Sequence, residues 1–176
     1  MRLGAIAAGL LLAIAPLAAA PAQDALNIIN DPAAPQVNGA TARLRDDPAV
    51  QGGKALRIQV KRKGANPWDV AAESAISKPI AAGDQLLMAF WVRLEKGEGG
   101  ATTGTLNYNA IQLGAEPYTT LLSGPVEIGP EWKLAEIRGK ADKDYAAGTL
   151  KATIHLASAA QTVDLGPIFV VNLGPE

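Results

Sequence analysis

From residue 85 to 94 the side chains alternate one by one. Leu86, Met88, Phe90 and Val92 fall on one face, with Leu87, Ala89, Trp91 and Arg93 on the other. A period of two belongs to a β-strand with one buried face. Two shorter stretches repeat the rule. Leu56, Ile58 and Val60 alternate with Ala55, Arg57 and Gln59, and Leu150, Ala152, Ile154 and Leu156 alternate with Lys151, Thr153 and His155. Residues 109–113, 121–128, 133–138 and 168–173 are further strand candidates. Turn formers punctuate the chain: Asn30-Asp31-Pro32, Asp46-Asp47-Pro48, Gln51-Gly52-Gly53, Lys78-Pro79, Ala82-Gly83-Asp84, Gly124-Pro125, Gly129-Pro130 and Gly166-Pro167. Many short strands at this spacing predict an all-β chain folded as a sandwich or barrel. Residues 70–77 are ambiguous, because their Ala, Glu and Ser content favours helix by propensity.

The first residues read differently. Met1-Arg2 supplies one positive charge, and residues 3–20 are nearly all Ala, Leu, Ile and Gly. Small residues at Ala18, Ala20 and Ala22 suit a cleavage site. The pattern predicts a secretory signal peptide over residues 1–22, and with it a secreted or periplasmic bacterial protein. Residues 23–176 then make one domain, large enough to bury a core without staples. No other segment is long and apolar enough to span a membrane, so no membrane partner is expected after cleavage.

Composition narrows the chemistry. Of 176 residues, 48% are hydrophobic, which excludes a disordered chain. The formal charge of −1 lacks the basic excess that a nucleic-acid partner requires. The chain has no cysteine, so disulfides, thiolate nucleophiles and zinc–thiolate sites are all excluded. Gly97-Glu98-Gly99-Gly100 lacks the Lys-Ser/Thr of a phosphate loop and reads as a hairpin tip. No Gly-x-Ser-x-Gly nucleophile elbow occurs. Asp69, Glu73 and Glu136 are carboxylates that glycoside hydrolysis can use, but no spacing selects a pair.

Several pieces occur in a particular order. Gly52-Gly53-Lys54-Ala55-Leu56-Arg57 precedes Asn66-Pro67-Trp68-Asp69-Val70, and Ile80-Ala81-Ala82-Gly83-Asp84 leads into Leu86 to Arg93. Glu116-Pro117-Tyr118-Thr119 and Gly129-Pro130-Glu131-Trp132 follow. Thr153-Ile154-His155-Leu156, then Gln161-Thr162-Val163-Asp164-Leu165-Gly166-Pro167-Ile168, then Asn172-Leu173-Gly174 close the chain. The ordered set resembles the galactose-binding-like jelly-roll carbohydrate-binding modules of the family 4/9 type, found beside bacterial xylanases and other glycan hydrolases. The resemblance implies a two-sheet antiparallel β-sandwich, with residues 70–77 as strand despite their propensity. It also implies non-catalytic binding of a polysaccharide or oligosaccharide. Related jelly rolls often hold a structural calcium ion near the chain ends, for which Asp31, Asp46 and Asp47 offer oxygen ligands.

A pyranose has an apolar face and a rim of hydroxyls, so its site needs exposed rings and planar polar groups. Trp68 after Asn66-Pro67, and Trp91 out of step with the aliphatics, are the expected stacking platforms. Gln112, Tyr118, His155 and Gln161 are the expected hydrogen-bonding groups. Arg93 and Trp132 read as structural, an ion-paired strand end and a strand opening. Two rival functions stay open: a structural or protein-interaction sandwich, and a small glycan-active enzyme.

Overall fold

The alternating stretches pair into ten strands with no α-helix among them, described over residues 26–175 in a computed structural model. The signal-peptide reading of residues 1–22 lies outside the described residues. The strands are β1 (Gln36–Asn38), β2 (Thr41–Asp46), β3 (Lys54–Val60), β4 (Ala71–Ala75) and β5 (Asp84–Lys96), then β6 (Gly104–Leu113), β7 (Thr120–Ile128), β8 (Lys133–Lys140), β9 (Leu150–His155) and β10 (Gln161–Pro175). They form two five-stranded sheets in the orders β1-β4-β9-β6-β7 and β2-β3-β10-β5-β8. Every ladder is antiparallel. The fold is the expected all-β sandwich.

The core lies between the sheets. Leu86, Met88, Phe90 and Val92 of β5 are fully buried, as are Ile154 of β9, Ile111 of β6 and Ile58 of β3. These are the inward phases of the alternation, and burying them is the main favourable term in folding. β3 departs in one place, where Ala55 is buried and Leu56 only half-buried. Asn30 ties the two sheets through the core. Its amide donates to Ser74 Oγ of β4 at 2.8 Å and to the Ile168 carbonyl of β10 at 2.7 Å, while its oxygen accepts the Val170 N–H at 2.8 Å.

Residues 71–75 form a strand, so tertiary pairing overrides their helical propensity. β4 lies between β1 and β9, and Ala71 and Ala72 are buried there. Gly166-Pro167 does not end a strand but sits inside β10, at a bulge between Leu165 and Ile168. A proline fits a sheet at such a bulge, where no ladder bond is needed from its nitrogen. Gly166 is required there, because a Cβ would fall 2.8 Å from Trp91 Cβ and 2.5 Å from Val50 Cγ2. Gly124-Pro125 likewise lies within β7. β1 and β2 carry no aliphatic alternation. Both are edge strands, and β2 has no buried residue at all.

Candidate functional site

The outward face of the β1-β4-β9-β6-β7 sheet carries an open trough of ≈ 720 Å³. Its floor comes from the outward phase of three neighbouring strands: Glu73 of β4, Lys151 and His155 of β9, and Tyr108 and Gln112 of β6. Trp68 and Tyr118 stand over it on loops and are 60% and 48% exposed.

Trp68 belongs to a single 3-10 turn, Pro67–Asp69. A proline at its start and a reciprocal cap between Asn66 and Asp69 make that turn local and stiff. The Asn66 N–H donates to Asp69 Oδ2 at 2.9 Å. That bond, more than any other contact, holds the Asp69 carboxyl below its ordinary value. The turn is bolted to the chain just after β9, where the Ala157 N–H donates to the Pro67 carbonyl at 3.0 Å. On its other side Gly39, at φ 77°, passes so close that a Cβ there would collide with the Asp69 carbonyl.

Tyr118 follows the cis Glu116–Pro117 bond and has φ 52°. Few non-glycine residues adopt that left-handed conformation, and it costs roughly 1–2 kcal/mol. The Tyr118 N–H donates to the Ala115 carbonyl at 2.9 Å, which closes the loop. The ring then faces the Lys151 ammonium at 5.5 Å, a cation–π distance.

On the floor His155 is buried between two aromatic rings. It stacks on Tyr108 with ring centroids 4.5 Å apart and meets Trp68 edge-on at 6.1 Å. Burial pushes its pKa down. The Glu73 carboxylate opposes this and the Lys151 ammonium adds to it, so the imidazole titrates below its ordinary range. His155 is therefore neutral at pH 7, with one ring nitrogen a donor and the other an acceptor. Lys151 pairs with Glu73 at 2.6 Å, and Asn38 donates to the same carboxylate at 3.2 Å. The Tyr108 hydroxyl donates to Gln112 Oε1 at 2.9 Å and shares a 2.6 Å bond with Thr120 Oγ1. Tyr108→Phe should keep the stacking but free the Gln112 amide and Thr120. We expect thermal unfolding to show a loss of about 1 kcal/mol.

Of the residues expected to contact a sugar, Trp68, Gln112, Tyr118 and His155 come together in this trough. Trp91 and Gln161 lie elsewhere. Trp91 points outward from β5 in the other sheet, against Gly166. Its Nε1 is buried without a hydrogen-bond partner. The Gln161 side chain is buried and donates to the Leu156 carbonyl at 2.8 Å, cinching the turn between β9 and β10. Arg93 and Trp132 also belong to the other sheet's outer face, in a cluster built on Asp164. Arg45, Arg57 and Arg93 all bond that carboxylate at 2.7–2.9 Å, and the Arg93 guanidinium lies 5.0 Å from the Trp132 ring centroid.

The proposed calcium ligands do not converge. Asp31 accepts the Ala33 N–H and Asp46 pairs with Lys54, while Asp47 takes the Trp132 N–H and lies 3.5–3.7 Å from Arg45 and Arg93. The three carboxylates considered for hydrolysis are also apart. Glu73 is in the trough, Asp69 in the tryptophan turn and Glu136 on β8 of the other sheet.

Tyr108, Lys151, Asn38 and Asn107 are trough residues that the sequence reading did not single out. A signal for Tyr108 existed. It shares parity with Gln112, but the candidate strand began at residue 109, whereas β6 begins at Gly104. Lys151 shares the outward phase of His155 and reads as an ordinary solvated lysine.

No protein-family model matches the chain, and no curated protein matches it in sequence. Solved structures do match in shape. A CBM4 module superposes with a TM-score of 0.56 at 16% identity, over 81% of this chain and 88% of that one. The second N-terminal cellulose-binding domain of Cellulomonas fimi β-1,4-glucanase C gives 0.61 at 13% identity, over 85% and 97%. The CBM22-1 xylan-binding domain of Paenibacillus barcinonensis Xyn10C gives 0.59 at 10% identity, over 88% and 100%. The chain thus has the jelly-roll sandwich fold of these carbohydrate-binding modules.

Proposed function

We propose that this chain is a non-catalytic polysaccharide-binding module that seats a glycan strand in the trough. The observation that carries the reading is the pair of exposed rings, Trp68 and Tyr118, above a floor of planar polar groups. An exposed aromatic face matches the apolar face of a pyranose. The Gln112 amide, the neutral His155 ring, Asn38 and the Lys151–Glu73 pair offer donors and acceptors to its hydroxyls. The similarity in shape to cellulose- and xylan-binding domains supports the same reading. A signal peptide over residues 1–22 would deliver the module to the cell exterior or periplasm, where such polymers are met.

Among the described residues Glu73 is the one carboxylate lining the trough, and Lys151 and Asn38 already engage it. Hydrolysis with two carboxylates therefore has no pair to work with there, which favours binding over catalysis.

Affinity electrophoresis through gels containing xylan, cellulose derivatives, mixed-linkage glucan or mannan tests the proposal. We expect at least one polymer to retard the chain. Tyr118→Ala should reduce that retardation, and Trp91→Phe should leave it as in the parent. Equal mobility in every gel would overturn the reading.

A further inference from the structure

We infer that a second, basic groove beside the trough extends the proposed glycan site and selects polymers that bear carboxylates. The inference deepens the polysaccharide reading and rests on it. Most cations of this chain already have partners. Arg45, Arg57 and Arg93 hold Asp164, Lys54 holds Asp46, Arg138 holds Glu136 and Lys151 holds Glu73. Lys78 and Lys133 donate hydrogen bonds, and Lys143 lies over the Tyr145 ring. Among the described residues Arg43, Lys61, Arg62, Lys63 and Lys96 have no such partner. All five are exposed, and all line three adjoining depressions that share Gln59 and Lys61.

The first is a groove of ≈ 790 Å³ between the β1–β2 turn and the chain from Val60 to Val70. The other two adjoin it at Gln59 and Lys61 and are lined with Lys96 and Thr162 on the outer side of β3, β5 and β10. Their acidic residues are Asp69, tied into the tryptophan turn, Glu95, paired with Arg57, and Glu98. Positive charge is in excess, although the whole chain is close to neutral. Segregating unpaired cations on one face raises the local concentration of anions and favours an anionic partner.

The groove's position indicates which anion. It touches the trough across a single rim: Asn38 and Trp68 line the trough, and their chain neighbours Gly39 and Asp69 line the groove. A strand leaving the trough past Trp68 runs directly onto Lys61, Arg62 and Lys63. Thr41, Gln59 and Thr162 lie between the cations and can bond hydroxyls, so the surface suits a polyhydroxylated acid such as a uronate-bearing glycan.

The test compares a xylan carrying uronic acid side groups with the same xylan after chemical reduction of its carboxyls. Titrations use the parent and the triple variant Lys61→Gln, Arg62→Gln, Lys63→Gln. We expect the parent to bind the acidic form about five- to tenfold more tightly at roughly 0.02 M salt, and the preference to vanish at roughly 0.5 M. The triple variant should lose the preference and keep its affinity for the reduced form. Equal binding of the two polymers by the parent overturns the groove alone, as does a preference retained by the triple variant. No binding of either polymer overturns the trough as well. Displacement of the acidic xylan by duplex DNA at equal anionic charge also overturns the inference, because the groove would then be a general polyanion surface.

Discussion

Replacing Trp68 by alanine should weaken polysaccharide binding by about ten- to fiftyfold while leaving the fold intact. A ring covered on one face by a sugar hides about 100 Å² of apolar surface, worth ~2.5 kcal/mol at 25 cal/mol per Å². Part of that is offset when the sugar is immobilised, and tenfold corresponds to about 1.4 kcal/mol. The fold should tolerate the change because the turn is held by backbone and Asn66–Asp69 bonds that do not involve the indole. Isothermal titration with the polymer that retards the parent, run beside thermal unfolding, separates the two effects. Unchanged affinity in a variant with the parent's melting temperature would show that the indole is not a platform.

Replacing Asp164 by alanine should be the most damaging change to stability. Three guanidiniums converge on this fully buried carboxylate, and Arg57 grips it with two nitrogens at 2.8 and 2.9 Å. Without it Arg45, Arg57 and Arg93 face one another with only Asp47 and Glu95 to neutralise them. Removing one member of a buried ion pair costs about 3–5 kcal/mol. The half-open arginines keep some water, so the low end, about 3 kcal/mol, applies. For a domain of this size that lowers the unfolding temperature by about 6–12 °C. The cluster also gives the fold a dependence on acid. Burial alone would raise the Asp164 carboxyl, but the bonds from Arg57 and Arg93 and the charges of Arg57 and Arg45 outweigh it and hold it below its ordinary value. A depressed native pKa contributes stability above the unfolded value near 4, and that stability is lost as pH falls through the native value. Melting temperatures measured between about pH 2 and pH 7 should therefore fall more steeply below about pH 4 in the parent than in Asp164→Asn. Equal pH slopes would remove Asp164 as the source.

How far the sequence is legible depends on the residue. Strands buried on one face announce themselves: β5 and β9 follow from their aliphatics, and with them the outward phase of His155 and Lys151. β1 and β2 are silent, because edge strands with little burial carry no alternation. Trp68 is readable from Asn66-Pro67, since proline and a capping residue fix the turn locally. Trp91 illustrates the limit. Its phase is outward as expected, but a sandwich has two outward faces, and period two does not say which sheet a strand joins. That assignment rests on long-range pairing of β5 with β8 and β10. Gln161 has the same difficulty, because its bond to the Leu156 carbonyl forms only once β9 and β10 come together. The unpaired cations are visible as residues, and only folding shows that the others have found carboxylates.

The close passage of Gly39 beneath the Asp69 carbonyl has a kinetic corollary. The trough's rim is set by backbone contacts before any ligand arrives, so little ordering is left for the encounter. Association rates should then be similar among accepted neutral polymers, and discrimination between those should appear in how long each stays.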